Sequence, residues 1–184
     1  ANDKVLQSRT TANQFGIFIK PREMVFWLAF NGLLFTTGHE RRLMKLSMIV
    51  PAYNEEANVR PFYDETVRVF GEMDLTCEII FIDDGSKDKT YDELRKLVDI
   101  ARNEQQISVC AVSFSRNFGK EAALFAGLKH AQGDLIAFID ADLQQEPTTL
   151  LEMVRILERD DDLDCVAACQ VNRKKGLTAS LSHK

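Results

Sequence analysis

Two aspartates separated by a single residue, Asp140 and Asp142, are the sharpest chemical signal in this 184-residue chain. In an extended segment, residues i and i+2 project to the same side, so their carboxylates converge. At ~4 Å such a pair repels by about 4 kcal/mol at an effective dielectric of ~20. A cation or a shared proton removes that cost. Hard oxygen ligands suit Mg2+ or Mn2+, and Mg2+ commonly takes one or two carboxylates together with substrate phosphates. Gln144, two residues further on, offers another ligand or a water contact. The alternative is an acidic cluster ahead of a helix opened by Pro147, where negative charge suits the helix dipole. The pair by itself leaves both readings open.

Three other segments carry comparable groups. Asp83, Asp84, Gly85 and Ser86 form a second acidic pair, suited to accept from base N–H groups or ribose hydroxyls, or to make an ordinary turn before a helix capped by Asp88 or Thr90. Arg116, Asn117, Gly119 and Lys120 combine cations with a glycine that opens a helix, which favours phosphate but also describes a solvated turn. Pro51, Ala52, Tyr53, Asn54, Glu55 and Glu56 include an aromatic able to stack on a base. His39, His130 and His183 have no partners in the sequence. No nucleophile elbow, HExxH helix or Walker loop is present.

Each segment follows a short apolar run. Strands are expected over 46–50, 78–82, 107–114 and 135–139, with a fifth over 165–171. Helical spacing appears at 55–70, with Pro61 tolerable only in the first turn, and at 88–103, where Thr90 and Glu93 have the spacing of a capping box. Further helices are expected over 119–131 and, started by Pro, over 147–159. Strict alternation implies an α/β fold: a Rossmann-like, mostly parallel sheet with helices on both faces. Ligands of such sheets bind beyond the carboxyl ends of the strands, where all four segments fall.

Read together, IVPAYNEE, FIDDGSKDKT, SFSRNFGKEAALFAGL and GDLIAFIDADLQ resemble the family 2 inverting glycosyltransferases of GT-A fold, from about Leu46 to Asn172. The wording is most similar to the branch that makes polyprenyl-phosphate sugars, which includes bactoprenol glucosyltransferases and dolichol-phosphate mannose synthase. The resemblance implies a nucleoside-diphosphate sugar donor, UDP-glucose-like or GDP-mannose-like, and a polyprenyl phosphate acceptor. It implies that Pro51, Ala52, Tyr53 and Glu55 line the base and ribose pocket and that Asp83 and Asp84 contact base or ribose. Asn117, Gly119 and Lys120 would flank the donor. Asp140 and Asp142 would form a DxD motif, with Asp142 and Gln144 nearest a Mg2+ or Mn2+ on the diphosphate. The acceptor phosphate, already an anion, would attack the anomeric carbon from the opposite face with little general-base help.

The sequence departs from the family at Gln145, Glu146 and Pro147, where Asp-Pro-Pro is usual, and after Lys174, where an acceptor-phosphate loop and membrane-associated helices are expected. The expectation is therefore a donor-binding half with little of the acceptor half, cut short or frame-shifted near Lys174 and Lys175, which either turns over or only binds nucleotide sugar. A signalling receiver domain shares the doubly wound pattern, but it needs a lone phosphoacceptor Asp rather than a DxD.

Composition bounds the rest. A net charge of −5 argues against a nucleic-acid partner, and 9 Gly with 4 Pro exclude collagen-like and low-complexity chains. Cys77, Cys110, Cys165 and Cys169 form no CxxC pair; three of them sit in apolar runs, where a buried structural thiol is usual, and all four are expected to be free, which suggests a reducing, cytoplasmic setting. The apolar run at 24–37 is interrupted by Asn31 and Gly32 and is short of the ~20 residues a span needs; an apolar helix or a poorly ordered extension fits better, and peripheral contact on the cytoplasmic face of a membrane is what the resemblance implies. The expected organisation is an extension over 1–43 that the fold does not require, a nucleotide-sugar-binding domain over 44–172, and a polar tail over 173–184.

Overall fold

The computed structural model describes residues 14–19, 44–71, 75–144, 147–160 and 162–169. They form six strands and four helices in the order β1 (Gln14–Ile19), β2 (Met44–Ala52), α1 (Val59–Phe70), β3 (Leu75–Asp83), α2 (Thr90–Ala101), β4 (Ile107–Ser113), α3 (Lys120–His130), β5 (Leu135–Phe138), α4 (Pro147–Arg159) and β6 (Cys165–Cys169). One sheet contains all six strands in the order β4-β3-β2-β5-β1-β6. The pairs β2–β3, β2–β5 and β3–β4 are parallel, as the alternating pattern requires.

β2 and β3 read as near-continuous apolar runs because both of their faces are covered. Alternate residues go to opposite layers. Met48, Val50, Ile79 and Phe81 join the larger core with Phe62, Phe70, Leu94, Leu97, Leu150 and Val154 of α1, α2 and α4. Ile80 and Ile82 face the other way, with Ala123 of α3. On that side α3 lies very close to the sheet: a Cβ added at Gly127 would stand 2.2 Å from Ile49 Cγ2.

The strand order fixes where a ligand crevice opens. From β2 the chain steps outward through β3 and β4, then returns to place β5 on the other side of β2. The reversal lies between β2 and β5, and the crevice of an open α/β sheet sits at the carboxyl ends of such strands.

Four details go beyond or differ from the expectations. First, Gln14–Ile19, inside the extension that the fold is expected not to require, pairs antiparallel with both β5 and β6. This pairing joins residues more than a hundred positions apart, which local periodicity cannot reveal. Second, the capping box at Thr90 and Glu93 does not form. α2 has Lys89 at its N-cap with no side-chain cap bond, because Thr90 Oγ1 donates to Asp88 Oδ1 (2.5 Å) and accepts from Glu55 N–H (2.8 Å). Third, Cys110 and Cys165 are exposed, whereas Cys77 is buried; β4 and β6 are the two edge strands. Fourth, α1 starts at Val59 rather than 55, since Asn58 and Val59 N–H both donate to the Glu55 carbonyl in a preceding turn. The apolar run at 24–37 and the tail at 173–184 fall outside the described residues. Among those described, no helix is long and apolar enough to cross a membrane.

Candidate active site at the carboxyl edge of the sheet

Backbone bonds first bring the strand ends into line. Asp84 N–H donates to the Ala52 carbonyl (2.9 Å), Phe114 N–H to that of Asp83 (2.9 Å), and Ile139 N–H to that of Ile49 (3.2 Å). The loops that leave these strands are then joined to each other by side chains.

Asp83 and Asp84 are 2% and 4% exposed. Asp83 Oδ1 accepts from Ser86 N–H (2.9 Å) and its Oδ2 from the Ser113 hydroxyl (2.7 Å). Asp84 reaches the loop after β4, where Oδ1 accepts from Phe118 N–H (2.6 Å) and Oδ2 from Gly119 N–H (2.9 Å). Both carboxylates thus hold loops. Each oxygen keeps further acceptor capacity. Gly85 makes the close approach possible: its φ is +67°, and a Cβ there would stand 2.3 Å from the Arg116 carbonyl carbon.

The segment after β2 is tied to the loop after β3. Asn54, at φ +57°, donates its N–H to Ser86 Oγ (2.9 Å) and accepts at Oδ1 from Lys87 N–H (2.9 Å). Asn tolerates this left-handed conformation better than most side chains. Glu56 Oε2 accepts from Lys89 N–H (2.9 Å), and Glu56 N–H donates to Asp88 Oδ2 (3.3 Å). Burial pushes the Asp88 carboxyl up, but hydrogen bonds from Thr90 and Glu56 outweigh it and hold the group below its ordinary value. Glu55 turns its carboxylate to Asn58 Nδ2 (2.6 Å). Tyr53, the residue that follows β2, is left 41% exposed.

At the end of β5, Ala141 is buried and anchors the segment, while Asp140 and Asp142 on either side of it are partly exposed. Leu143 takes φ +56° and packs against the larger core. Asp142 Oδ1 accepts from Gln144 N–H across this turn (3.0 Å). Lys120, the first residue of α3, places Nζ 2.6 Å from Asp140 Oδ1 and 2.8 Å from Oδ2. A cavity of about 550 Å³ lies beside the turn, lined by Pro61, Asp64, Glu65, Arg68, Leu143 and Pro147.

Among the described residues no three His, Cys, Asp or Glu side chains are grouped to hold a metal. Two partly exposed carboxylates, one of them paired with Lys120 at the start of α3, nevertheless fit a divalent ion whose shell is completed by phosphate oxygens and water, as Mg2+ usually is bound. All the predicted site residues fall at one edge of the sheet. Asp83, Asp84, Gly119, Lys120 and Asp140 are linked through the contacts above, whereas Asn117 and Gln144 are exposed. Ser86, Ser113 and Thr90 were not anticipated as organisers of the site. Their bonds span 30 to 35 residues, beyond the reach of any local spacing rule.

Residues 47–183 match the family described as Glycosyl transferase family 2. The chain belongs to that family. A prophage bactoprenol glucosyl transferase homolog of Escherichia coli K12 is 50% identical over 102 residues, 55% of this chain and 31% of its own length. The dodecaprenyl-phosphate galacturonate synthase of Rhizobium johnstonii is 38% identical over 134 residues, 73% of this chain and 38% of its own. Among solved structures, the mannosyltransferase PcManGT of Pyrobaculum calidifontis, in complex with GDP-Man and Mn2+, superposes with a TM-score of 0.53 at 27% identity, covering 61% of this chain and 32% of that one. The chain spans about a third of the length of the curated relatives it matches. The mostly parallel sheet with its helices is the GT-A glycosyltransferase fold, as in these neighbours.

Proposed function

We propose that this chain supplies the donor site of an inverting glycosyltransferase that moves a hexose from a nucleoside-diphosphate sugar to a polyprenyl phosphate. The observation that carries the proposal is the convergence of four strand-end segments at the reversal between β2 and β5, with Lys120 against Asp140 at its centre. Relatives named for bactoprenol and dodecaprenyl-phosphate chemistry support the acceptor class.

In this proposal Pro51, Ala52, Tyr53 and Glu55 border the base and ribose. Asp83 and Asp84 shape that pocket from beneath by fixing its loops, and Asn117, Gly119 and Lys120 face the diphosphate. Asp140, Asp142 and Gln144 would hold Mg2+ or Mn2+, a divalent ion of the kind present with the Pyrobaculum neighbour. Bound there, such an ion stabilises the charge that builds on a departing nucleoside diphosphate. Lys120 and the start of α3 add positive potential on the same side. An acceptor phosphate is already anionic near neutral pH, so the chain needs no strong general base. Contact with a cytoplasmic membrane face belongs to the same proposal, because the acceptor is a lipid.

Incubation with UDP-[14C]glucose or GDP-[14C]mannose, Mn2+ and undecaprenyl phosphate tests it. Radiolabel is expected in the lipid extract and is expected to vanish with Asp142→Ala. Nucleotide-sugar binding without any lipid product would instead mark the chain as a donor-binding unit only.

A further inference from the structure

Lys120 makes its described ion pair with Asp140, the first acid of the DxD motif, and meets both carboxylate oxygens. The geometry is set from below. Gly119 takes φ +97° and is held through its N–H by Asp84, which fixes the backbone from which the lysine stem departs. The lysine side chain is 57% exposed and Asp140 only 28%, so the ammonium can swing away on its four-carbon stem, whereas the carboxylate departs from backbone held between buried Ile139 and Ala141.

An ammonium that meets both oxygens of Asp140 and a divalent ion on the same carboxylate are like charges at close range, so each weakens the other's hold. We infer that Lys120 is an intramolecular counter-ion that competes with the divalent metal for Asp140, and that an incoming diphosphate draws it off. Metal and diphosphate then bind cooperatively: the phosphates offer Lys120 a second anionic partner, and the Asp140 it leaves becomes free for the ion. By reciprocity, metal must raise diphosphate affinity by the same factor. Asp142, whose described bond is to Gln144 N–H, remains the ligand present throughout. This inference rests on the proposed donor site and adds an order to its use, so that the ion is held firmly only when a nucleotide accompanies it.

Mn2+ titration followed by electron paramagnetic resonance, with and without UDP, tests the inference without any turnover. In the unaltered chain UDP is expected to tighten Mn2+ binding by roughly 10-fold or more, within the usual span of coupling between sites. Lys120→Gln is expected to bind Mn2+ alone about 5-fold tighter and to lose most of the UDP enhancement, whereas Lys120→Arg keeps the unaltered pattern. Lys129→Gln, which removes the same charge from the far end of α3, is expected to change neither value. Equal Mn2+ affinities for the unaltered chain and Lys120→Gln, or an equal gain in Lys129→Gln, would overturn the counter-ion role and leave the donor site standing. Failure of the unaltered chain to bind Mn2+ even with UDP would overturn the donor site itself.

Discussion

Asp84 gives both carboxylate oxygens to backbone N–H groups 34 and 35 residues away, and that economy shows what single residues do here. Buried carboxylates accepting main-chain hydrogen bonds are strong, charge-assisted organisers. Asp84→Asn retains one acceptor oxygen and turns an amide N–H2 toward a backbone donor. Chemical denaturation should show a loss of about 1–3 kcal/mol, with faster amide exchange at Phe118 and Gly119. Gly85→Ala combines a left-handed backbone with a clash against Arg116 and Asn117. It should cost about 2 kcal/mol or more, and Gly85→Ser should be no milder. Both acids at 83 and 84 were legible in the sequence as chemically special. The local turn, with Ser86 N–H on Asp83, was legible too; the bonds to Ser113, Phe118 and Gly119 were not, because those partners lie 30 to 35 residues away.

A second buried network sits at the opposite end of the sheet. Glu78 accepts from Ser47 Oγ (2.5 Å) and Gln132 N–H (2.6 Å), and pairs with Lys45 at 2.7 Å. Burial pushes the Glu78 carboxyl up, but the bonds from Lys45, Ser47 and the Gln132 backbone outweigh it and hold the group below its ordinary value. A depressed carboxyl stabilises the fold above its unfolded-state pKa, near 4.3, and loses that contribution as pH falls through the lower folded value. Stability should therefore drop more steeply between about pH 5 and pH 3 in the unaltered chain than in Glu78→Gln. The variant should be less stable near neutrality, and parallel pH curves would contradict this account.

Elements set which of these residues can meet. Helix and strand positions follow from periodicity nearly everywhere after residue 44: α4 runs over Pro147–Arg159 as the proline start requires, and β3 extends the expected run to Leu75–Asp83. α3 is the exception to amphipathic design. It buries only Ala123 and Gly127, while Phe125 stays 61% exposed under Lys129; small residues are what close packing against Ile49 permits. β1 was not legible, since its partners lie beyond residue 134 and 164 in the chain. Its pairing makes a prediction at this scale. A chain starting at Met44 should keep slow amide exchange in β2, β3 and β4, whose partners are all retained. It should lose protection in β6, which pairs with β1. Loss of protection throughout would show that the N-terminal strand is needed by the whole sheet.

At the scale of the molecule, the sheet order and the loop network jointly bring an exposed tyrosine, a lysine at a helix start and two partly exposed aspartates to one edge. The sequence motifs identified that edge because each follows its strand directly. The lysine–aspartate pair across it became visible only once β5 was seated beside β2. Calorimetric titration of the unaltered chain with UDP-glucose and GDP-mannose, each with and without Mn2+, tests the central claim most directly. One of the two donors should bind in the presence of Mn2+ and should bind at least 10-fold more weakly without it, as expected for two coupled ligands, with Asp142→Ala losing the metal dependence. No binding of either donor under any of these conditions would contradict the claim.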